Sequence, residues 1–236
     1  MAVIDLKDAT VYVRDGASLD IVGAVNNGAG YAKNATSMTV DGFSAAIANG
    51  VSFRVGTNPN FYTITGTTGG ATPTTLTFTP GLSGAVADDA VITLHGNVLE
   101  IKIGEGNLTY SEKRAVTYVK NRGILDTVKL GDETPMEVSL DFTWEFLRAG
   151  SGDPPSVEEA LKQIGAASTW KSTSTDTCEP YAVDILINYI PPCGSDSELI
   201  VLEDFRWESL DHDLKQGQVA VKGNCNVTVA KVSHIG

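Results

Sequence analysis

The residues in this chain best suited to acid–base chemistry are a histidine between two aspartates, Asp211, His212 and Asp213. A histidine titrates near neutral pH and can act as a general base when a carboxylate orients it. Side chains alternate in direction along a strand, so both aspartates would point away from the histidine and the three groups would not converge. Polar clusters of this kind are typical of turns, and we predict a solvated turn here.

The other candidate sites lack the ligands or the loop geometry that their chemistry needs. Gly104 and Gly106 have the spacing of a phosphate loop, but the third glycine and the following helix are missing, so we expect a plain turn or bulge. Three histidines and three cysteines are too few and too dispersed for a zinc site. Free thiols are the default for Cys178, Cys193 and Cys225, and a Cys178–Cys193 disulfide is the alternative. The sequence therefore predicts no catalytic residue, metal or cofactor, and a protein that is not an enzyme.

The charge of the chain is acidic and unevenly distributed. It has 17 basic and 29 acidic residues among 236, a formal net charge of −12, which argues against a protein that grips the phosphates of nucleic acid. Residues 102–129 hold six basic and three acidic groups, whereas residues 130–213 hold four basic and 18 acidic ones. Complementary patches favour head-to-tail contacts that generate rings or filaments. Solvated faces of unrelated loops would give the same counts.

Signals for membrane insertion or export are missing from the sequence. No apolar run approaches the ~18 residues of a membrane span, and the first residues lack the apolar core of a signal peptide. We expect a protein that neither spans a membrane nor is secreted by that route.

Hydrophobic periodicity predicts a mainly β protein with one helix. Apolar residues alternate at 138–146, 181–189 and 219–229, as in half-buried antiparallel strands, and residues 199–207 predict a further strand with apolar positions on both faces. Residues 156–164 have the spacing of an amphipathic helix, with Ser156 and Glu159 as a capping box and Gly165 as the stop.

The composition of residues 15–97 differs from that of the rest of the chain. Only seven of these 83 residues are charged, and short apolar runs alternate with Gly and Pro at roughly ten-residue spacing. This pattern predicts a small all-β domain, with one helical turn at 43–48. Strands at 10–14 and 98–103 would pair as a hairpin, so we predict an insertion at its tip. The host domain is then discontinuous, 1–14 and 98–236, and forms a β-sandwich or rolled sheet with a flanking helix.

Several motifs of the host domain resemble the tail tube, or major tail, proteins of bacteriophages with long non-contractile tails. The resemblance covers about two thirds of the chain, 1–14 and 98–236, and departs from the family at the insertion. The motifs are LEIKIGEGNLTYSEKR at 99–114, RGILDTVKLGD at 122–132, Pro135, VSLDFTWEF at 138–146, Trp170, EPY at 179–181, LEDF at 202–205, LDHD at 210–213 and GNC at 223–225.

The resemblance implies a structural virion protein that self-assembles into rings of six, stacked into a tube through which DNA is ejected. The expected partners are further copies of the chain, the tape measure protein, and tail terminator or baseplate proteins. DNA would pass without specific binding. The location would be the virion tail, assembled in the host cytoplasm, with the inserted domain on the tube exterior.

The resemblance also implies site residues. A long loop at 104–122 and the N-terminal arm at 1–9 would reach the next ring. The ring-stacking candidates in that loop are Glu105, Asn107, Tyr110, Lys113, Arg114, Lys120 and Arg122. The lumen-lining candidates are either Asp184 or, on another strand, Asp141 and Glu145. Six copies would carry about −72 charges per ring, and an acidic lumen would repel DNA phosphates and keep the genome from sticking.

Three other functions stay open at this point. The inserted domain would suit a cell-surface or carbohydrate-binding module if Tyr31, Phe61 or Tyr62 were exposed, although aromatic residues dominate the cores of small β domains. A capsid decoration protein and a hydrolase of unknown type are the remaining alternatives.

Overall fold

The computed structural model describes residues 8–19, 21–103, 107–143, 154–191, 197–213 and 216–235, and it is mainly β, as predicted. Its helices in these ranges are α1 (Val157–Lys162) and a 3-10 turn (Gly165–Ala167), and neither is long enough to cross a membrane. The strands are β1 (Ala9–Arg14), β2 (Val22–Val25), β3 (Ser37–Asp41), β4 (Val51–Val55), β5 (Tyr62–Thr68), β6 (Thr75–Thr79), β7 (Val91–Ile101), β8 (Leu108–Ser111), β9 (Val116–Asn121), β10 (Ile124–Leu130), β11 (Met136–Thr143), β12 (Val183–Tyr189), β13 (Ser197–Asp213), β14 (Gln218–Cys225) and β15 (Lys231–Ile235).

The host sheet is antiparallel and uses residues on both sides of the insertion. Its strands lie in the order β7, β1, β12, β13, β14, β11 and β8, and β15 pairs with the N-terminal part of β13. The predicted pairing of residues 10–14 with 98–103 is confirmed, with Val11 opposite Ile101 and Arg14 opposite Val98. Apolar side chains from these strands form one core with α1 and Trp170.

The alternating pattern predicts the strands of this sheet better than it predicts their burial. In β11 the apolar side chains of Val138, Leu140 and Phe142 are buried while the intervening polar residues reach solvent, as expected. In β12, by contrast, all seven residues are buried. Leu186 on its second face packs with Leu199 and Val201 in a separate small core, so β12 is covered on both sides.

The turn predicted at Asp211–Asp213 is wrong. These residues extend β13, and their backbone pairs with β14, with Asp211 opposite Ala220 and Asp213 opposite Gln218. All three side chains are exposed, so the prediction of a solvated position holds although the backbone is a strand. Pairing with β14, the next strand along the chain, overrides the local preference of Asp for turns.

Helix α1 has the predicted capping box. The Ser156 hydroxyl accepts from the Glu159 backbone N–H, and the Glu159 carboxylate accepts from the Ser156 N–H. The helix is shorter than predicted because Gln163 adopts a left-handed conformation with φ of 55°, which ends it before Ile164.

The inserted segment forms a closed barrel. Strands β2, β3, β6, β5, β4 and β7 follow one another, and β2 pairs with β7 to complete the circle. A second core fills it, with Phe53, Tyr62 and Phe78 among its largest side chains. Strand β7 continues from this barrel into the host sheet, because residues 91–97 face β2 and β4 and residues 98–101 face β1.

The helical turn predicted at 43–48 is not formed. The segment is irregular, and it buries Phe43 and Ile47 in the barrel core. Phe43 lies against the backbone of Gly23, where a Cβ atom would be only 2.5 Å from its ring. Packing of Phe43 and Ile47 in the barrel core therefore determines the backbone path of residues 43–48.

Candidate self-association surfaces

A solvent-facing sheet of four strands forms a polar surface on the host domain. It consists of β8, β11, β14 and the C-terminal part of β13, and we call its outer side the polar sheet face. Ser139 on this face lies between Thr109 and Lys222, and Lys222 lies beside Ser209. The inner side carries Leu140, Val219 and Val221 into the core, so strand alternation turns the polar residues outward.

The polar sheet face is acidic. It carries five carboxylates and three cationic groups, which are Lys222, Lys113 and Arg206. Lys113 Nζ contacts Glu137 Oε1 and Arg206 Nη2 contacts Glu179 Oε2, each at 2.6 Å. A bulge between Trp207 and Ser209 turns Glu208 to this side, where the Asn224 amide donates to Glu208 Oε1 at 2.6 Å. The carboxylates are Glu137, Asp141, Glu208, Asp211 and Asp213.

The polar sheet face has a strand edge on each side. Strand β8 is the last strand in the order of the sheet, so its outer backbone groups have no neighbouring strand among the described residues. On the opposite side, β12 reaches β13 only as far as Phe205, so residues 206–210 of β13 have no second neighbouring strand in the described part of the chain and form an edge. Unpaired strand edges are templates for pairing with another chain.

A second surface is a two-stranded hairpin that stands apart from the host sheet. Strands β9 and β10 pair only with each other within the described structure, and we call them the hairpin arm. Ile124, Leu130 and Tyr118 on this arm are 75%, 70% and 60% exposed. The register places Val116 and Tyr118 on the same side as Leu130 and Val128, which makes one apolar stripe.

The tip of the hairpin arm is basic and tightly turned. Arg122 and Gly123 form a two-residue connection with positive φ at both positions, 51° and 82°, as a type I′ turn requires. Lys120 and Lys129 add further positive charge to the arm. The arm thus combines an apolar stripe with cationic side chains, in a protein whose polar sheet face is acidic.

The predicted ring-stacking residues do not lie on one loop, which corrects that expectation. Residues 107–122 form β8 and the first strand of the hairpin arm. Asn107 and Tyr110 lie at the β8 edge, Lys113 contacts the polar sheet face, and Arg114 precedes the arm. Lys120 and Arg122 lie near or at the tip of the arm. Glu105 is outside the described residues, as is the N-terminal arm up to residue 7.

The lumen-lining candidates have different positions. Asp141 lies on the polar sheet face, half-buried, opposite Ala220. Asp184 is 2% exposed, and the guanidinium of Arg14 contacts its Oδ2 at 2.8 and 2.9 Å, so the expectation that Asp184 lines a lumen is wrong. Burial raises the pKa of the Asp184 carboxyl, and the ion pair with Arg14 opposes that change. Glu145 lies outside the described residues.

The aromatic residues of the insertion do not form an exposed platform. Tyr62 is fully buried, and its hydroxyl bonds with Asn58 and Ser83. Phe61 packs edge-on against Tyr12 and His95 at ring distances of 5.0 and 5.2 Å. The hydroxyl of Tyr31 accepts from the Thr39 backbone N–H at 2.6 Å.

The groups singled out for chemistry stay apart. In the described part of the chain no three His, Cys, Asp or Glu residues are placed to hold a metal ion. His212 Nε2 lies 3.3 Å from Glu158 on the surface between β13 and α1. The thiols of Cys178 and Cys225 are free, and burial raises the pKa of the Cys225 thiol to about 12. Cys193 lies outside the described residues.

In comparisons with known proteins, no protein-family model, characterised protein or solved structure matches the chain. The function is therefore argued from the two surfaces and from the sequence motifs.

Proposed function

We propose that this protein is a structural subunit of a bacteriophage tail tube, which self-associates into rings of six that stack head to tail. The hairpin arm is the observation that carries the proposal. Its apolar side chains lie in water in the isolated chain, and soluble proteins seldom expose such stripes unless a partner covers them. A second copy of the chain is a partner whose charge fits, because the arm is basic and the chain as a whole carries a formal net charge of −12.

The strand edges beside the polar sheet face support closure of a ring. The β8 edge of one copy and the β13 edge of the next offer backbone donors and acceptors that can pair in antiparallel fashion. Repeated around a ring, this contact is head-to-tail and would join the four-stranded sheets into one barrel. The polar sheet face would then line the lumen.

An acidic lumen suits passage of DNA without binding. Five carboxylates and three cationic groups per copy give a net negative wall, which repels the phosphate backbone. In this proposal the protein performs no catalysis and needs no cofactor. Its partners are other copies of the chain, the tape measure protein and the proteins that end the tube, and its location is the virion tail.

The hairpin arm gives a direct test of self-association. Changing Tyr118→Ser together with Leu130→Ser removes two side chains of the apolar stripe without touching either core. We expect the wild-type chain to form rings or longer assemblies as its concentration rises, and the double variant to need at least ~10-fold more protein, because about 1.4 kcal/mol of lost contact energy corresponds to a tenfold change in association. Sedimentation velocity over a concentration series measures this shift.

A matched control is available on the inserted barrel, where Val22 and Val91 are also exposed. Val22→Ser with Val91→Ser removes apolar area of the same kind, and we expect its association to equal that of the wild type. A wild-type chain that sediments as a monomer at all concentrations would refute the proposal. If both double variants weakened association equally, the hairpin arm would not be a specific association surface.

The alternatives have less support. A carbohydrate-binding module would use exposed aromatic rings, and those of the insertion are packed against other side chains. No described feature favours a capsid decoration protein or a hydrolase over the tube subunit.

A further inference from the structure

Two arginines lie buried where the inserted barrel rests on the host sheet. We call this contact the seam. Its residues are Tyr12, Arg14, Asp184 and Asn188 from the host sheet, and Arg54, Phe61 and His95 from the barrel strands and the segment beside them. Arg14 and Arg54 are each 5% exposed. Such burial of a guanidinium normally requires a bonded partner.

Arg14 has that partner. Its Nε and Nη2 atoms contact Asp184 Oδ2 at 2.9 and 2.8 Å, and its Nη1 donates to His95 Nδ1 at 3.1 Å. Burial, together with the two nearby arginines, lowers the pKa of His95 to about 3, so the ring is neutral and can accept this bond. The positive charge of Arg14 is thereby balanced by a carboxylate.

Arg54 has no such partner. Its Nε and Nη2 atoms are both buried without a hydrogen bond, and its guanidinium lies 5.4 Å from the centre of the Phe61 ring. Burial lowers the pKa of Arg54 to about 10, so the group is still charged at neutral pH. The seam therefore holds one buried positive charge that no described carboxylate neutralises.

The unpartnered atoms of Arg54 form the edge that recognises oxyanions. Nε and Nη2 present two parallel N–H groups, the same pair that Arg14 directs at Asp184. This fork matches two oxygens of a carboxylate or phosphate group. Among the described residues, the one other buried side-chain atom without a hydrogen-bond partner is Asn188 Oδ1. It also lies at the seam, where the Asn188 amide donates to Pro59 O at 3.0 Å. An acceptor there suits a ligand that also carries a proton, as hydrogen phosphate does.

We propose that Arg54 anchors a binding site for a small oxyanion at the seam between barrel and host sheet. The ligand class is a phosphate or carboxylate that accepts both N–H groups side-on. It is either a free ion or the carboxylate of a second copy of the chain. Both atoms are shielded from solvent, so binding requires the seam to open enough to admit the ligand. The inference does not depend on the tail-tube proposal.

Side-chain NMR of the ¹⁵N-labelled full chain tests the site directly. Inorganic phosphate, and separately acetate, are added against sodium chloride at equal ionic strength, and the arginine Nε signals are followed. We expect the Arg54 Nε signal to move and saturate while that of Arg14, already paired, stays in place. A shift that instead follows protein concentration without added ion would identify the carboxylate of a second copy as the ligand.

Thermal unfolding provides a second readout with matched variants. Above the dissociation constant, each tenfold increase in phosphate should raise the wild-type Tm by about 3–5 °C. Arg54→Met should lose this response, and Arg206→Met, which removes an arginine paired with Glu179, should keep it. The proposal is overturned if the Arg54 Nε signal responds neither to the ions nor to protein concentration. An identical phosphate response in wild type and Arg54→Met would also overturn it.

Discussion

His95 is a buried neutral histidine, and this makes the stability of the protein depend on pH. Its pKa is lowered to about 3 in the folded protein and returns to about 6.5 on unfolding, so between these values the unfolded chain binds the extra proton. Stability contributed by the neutral ring is therefore present above pH 6.5 and is lost as the pH falls toward 3. From pH 6.5 to 5 the loss should be about 2 kcal/mol.

Urea unfolding at pH 6.5 and pH 5 measures this loss, and His95→Gln isolates it, since glutamine offers Arg14 an uncharged acceptor. We expect the variant to be about 2 kcal/mol less sensitive to this pH change than the wild type. His234→Gln is the control, because His234 is exposed. A wild-type pH dependence equal to that of His95→Gln would show that folding does not lower the pKa of His95.

Single residues of the seam were beyond prediction from the sequence. His95 lies 81 positions and Asp184 lies 170 positions after Arg14 in the sequence. No periodic pattern links residues at such separations. Asp184 sits in an alternating strand that suggests an outward carboxylate, but a second layer covers that face. A lone Arg54 in a segment with few charges was the available signal, because a charge in an apolar strand needs either solvent or a partner.

At the scale of elements, one carboxylate joins three segments. Asp15 follows β1 and is fully buried, and it accepts bonds from the Asn97 backbone and side-chain amides at 2.7 and 2.8 Å. It also accepts from the backbone N–H groups of Ala17 and Lys171, both at 3.1 Å. Asp15 thus ties the entry of the insertion to its exit and to the segment after α1.

Asp15→Ala should lower the free energy of unfolding by about 3 kcal/mol or more, because several buried donors lose their acceptor at once. Asp88→Ala is the comparison, since the exposed Asp88 carboxylate accepts from the Asn27 backbone N–H at 2.7 Å, and there we expect about 1 kcal/mol or less. Denaturant unfolding gives both values. Equal losses of unfolding free energy would mean that the Asp15 carboxylate does not specifically stabilise the contact between the entry and the exit of the insertion.

Elements with a regular apolar period were predictable, and those shaped by distant contacts were not. The capping box of α1, the alternation of β11 and the pairing of β1 with β7 follow from spacing within a few residues. The predictions for residues 43–48 and 211–213 were wrong. Packing in the barrel core determines the backbone of the first segment, and pairing with β14 determines that of the second. The loop expected at 104–122 includes the first strand of the hairpin arm, although Arg122-Gly123 between apolar runs is a turn signal.

At the scale of the whole molecule, one continuous strand joins the two large cores, and a small core around Leu186 lies on the other face of the host sheet. The inserted barrel is closed, so its strands offer no edge for pairing, whereas the host sheet keeps edges beside its polar face. Self-association through strand edges would therefore use the host domain, with the barrel carried along. The order of the motifs suggested this assembly, and the acidic sheet face and the apolar arm supply physical reasons for it.

Cryo-electron microscopy of the assembled protein tests the central claim most directly. We expect rings of six copies stacked into a tube, with Asp141, Glu208 and Asp211 of the polar sheet face toward the lumen and the inserted barrel outside. The hairpin arm should contact the neighbouring ring. A protein that forms neither rings nor tubes at any concentration, or a tube whose lumen is basic or lined by another surface, would contradict this account.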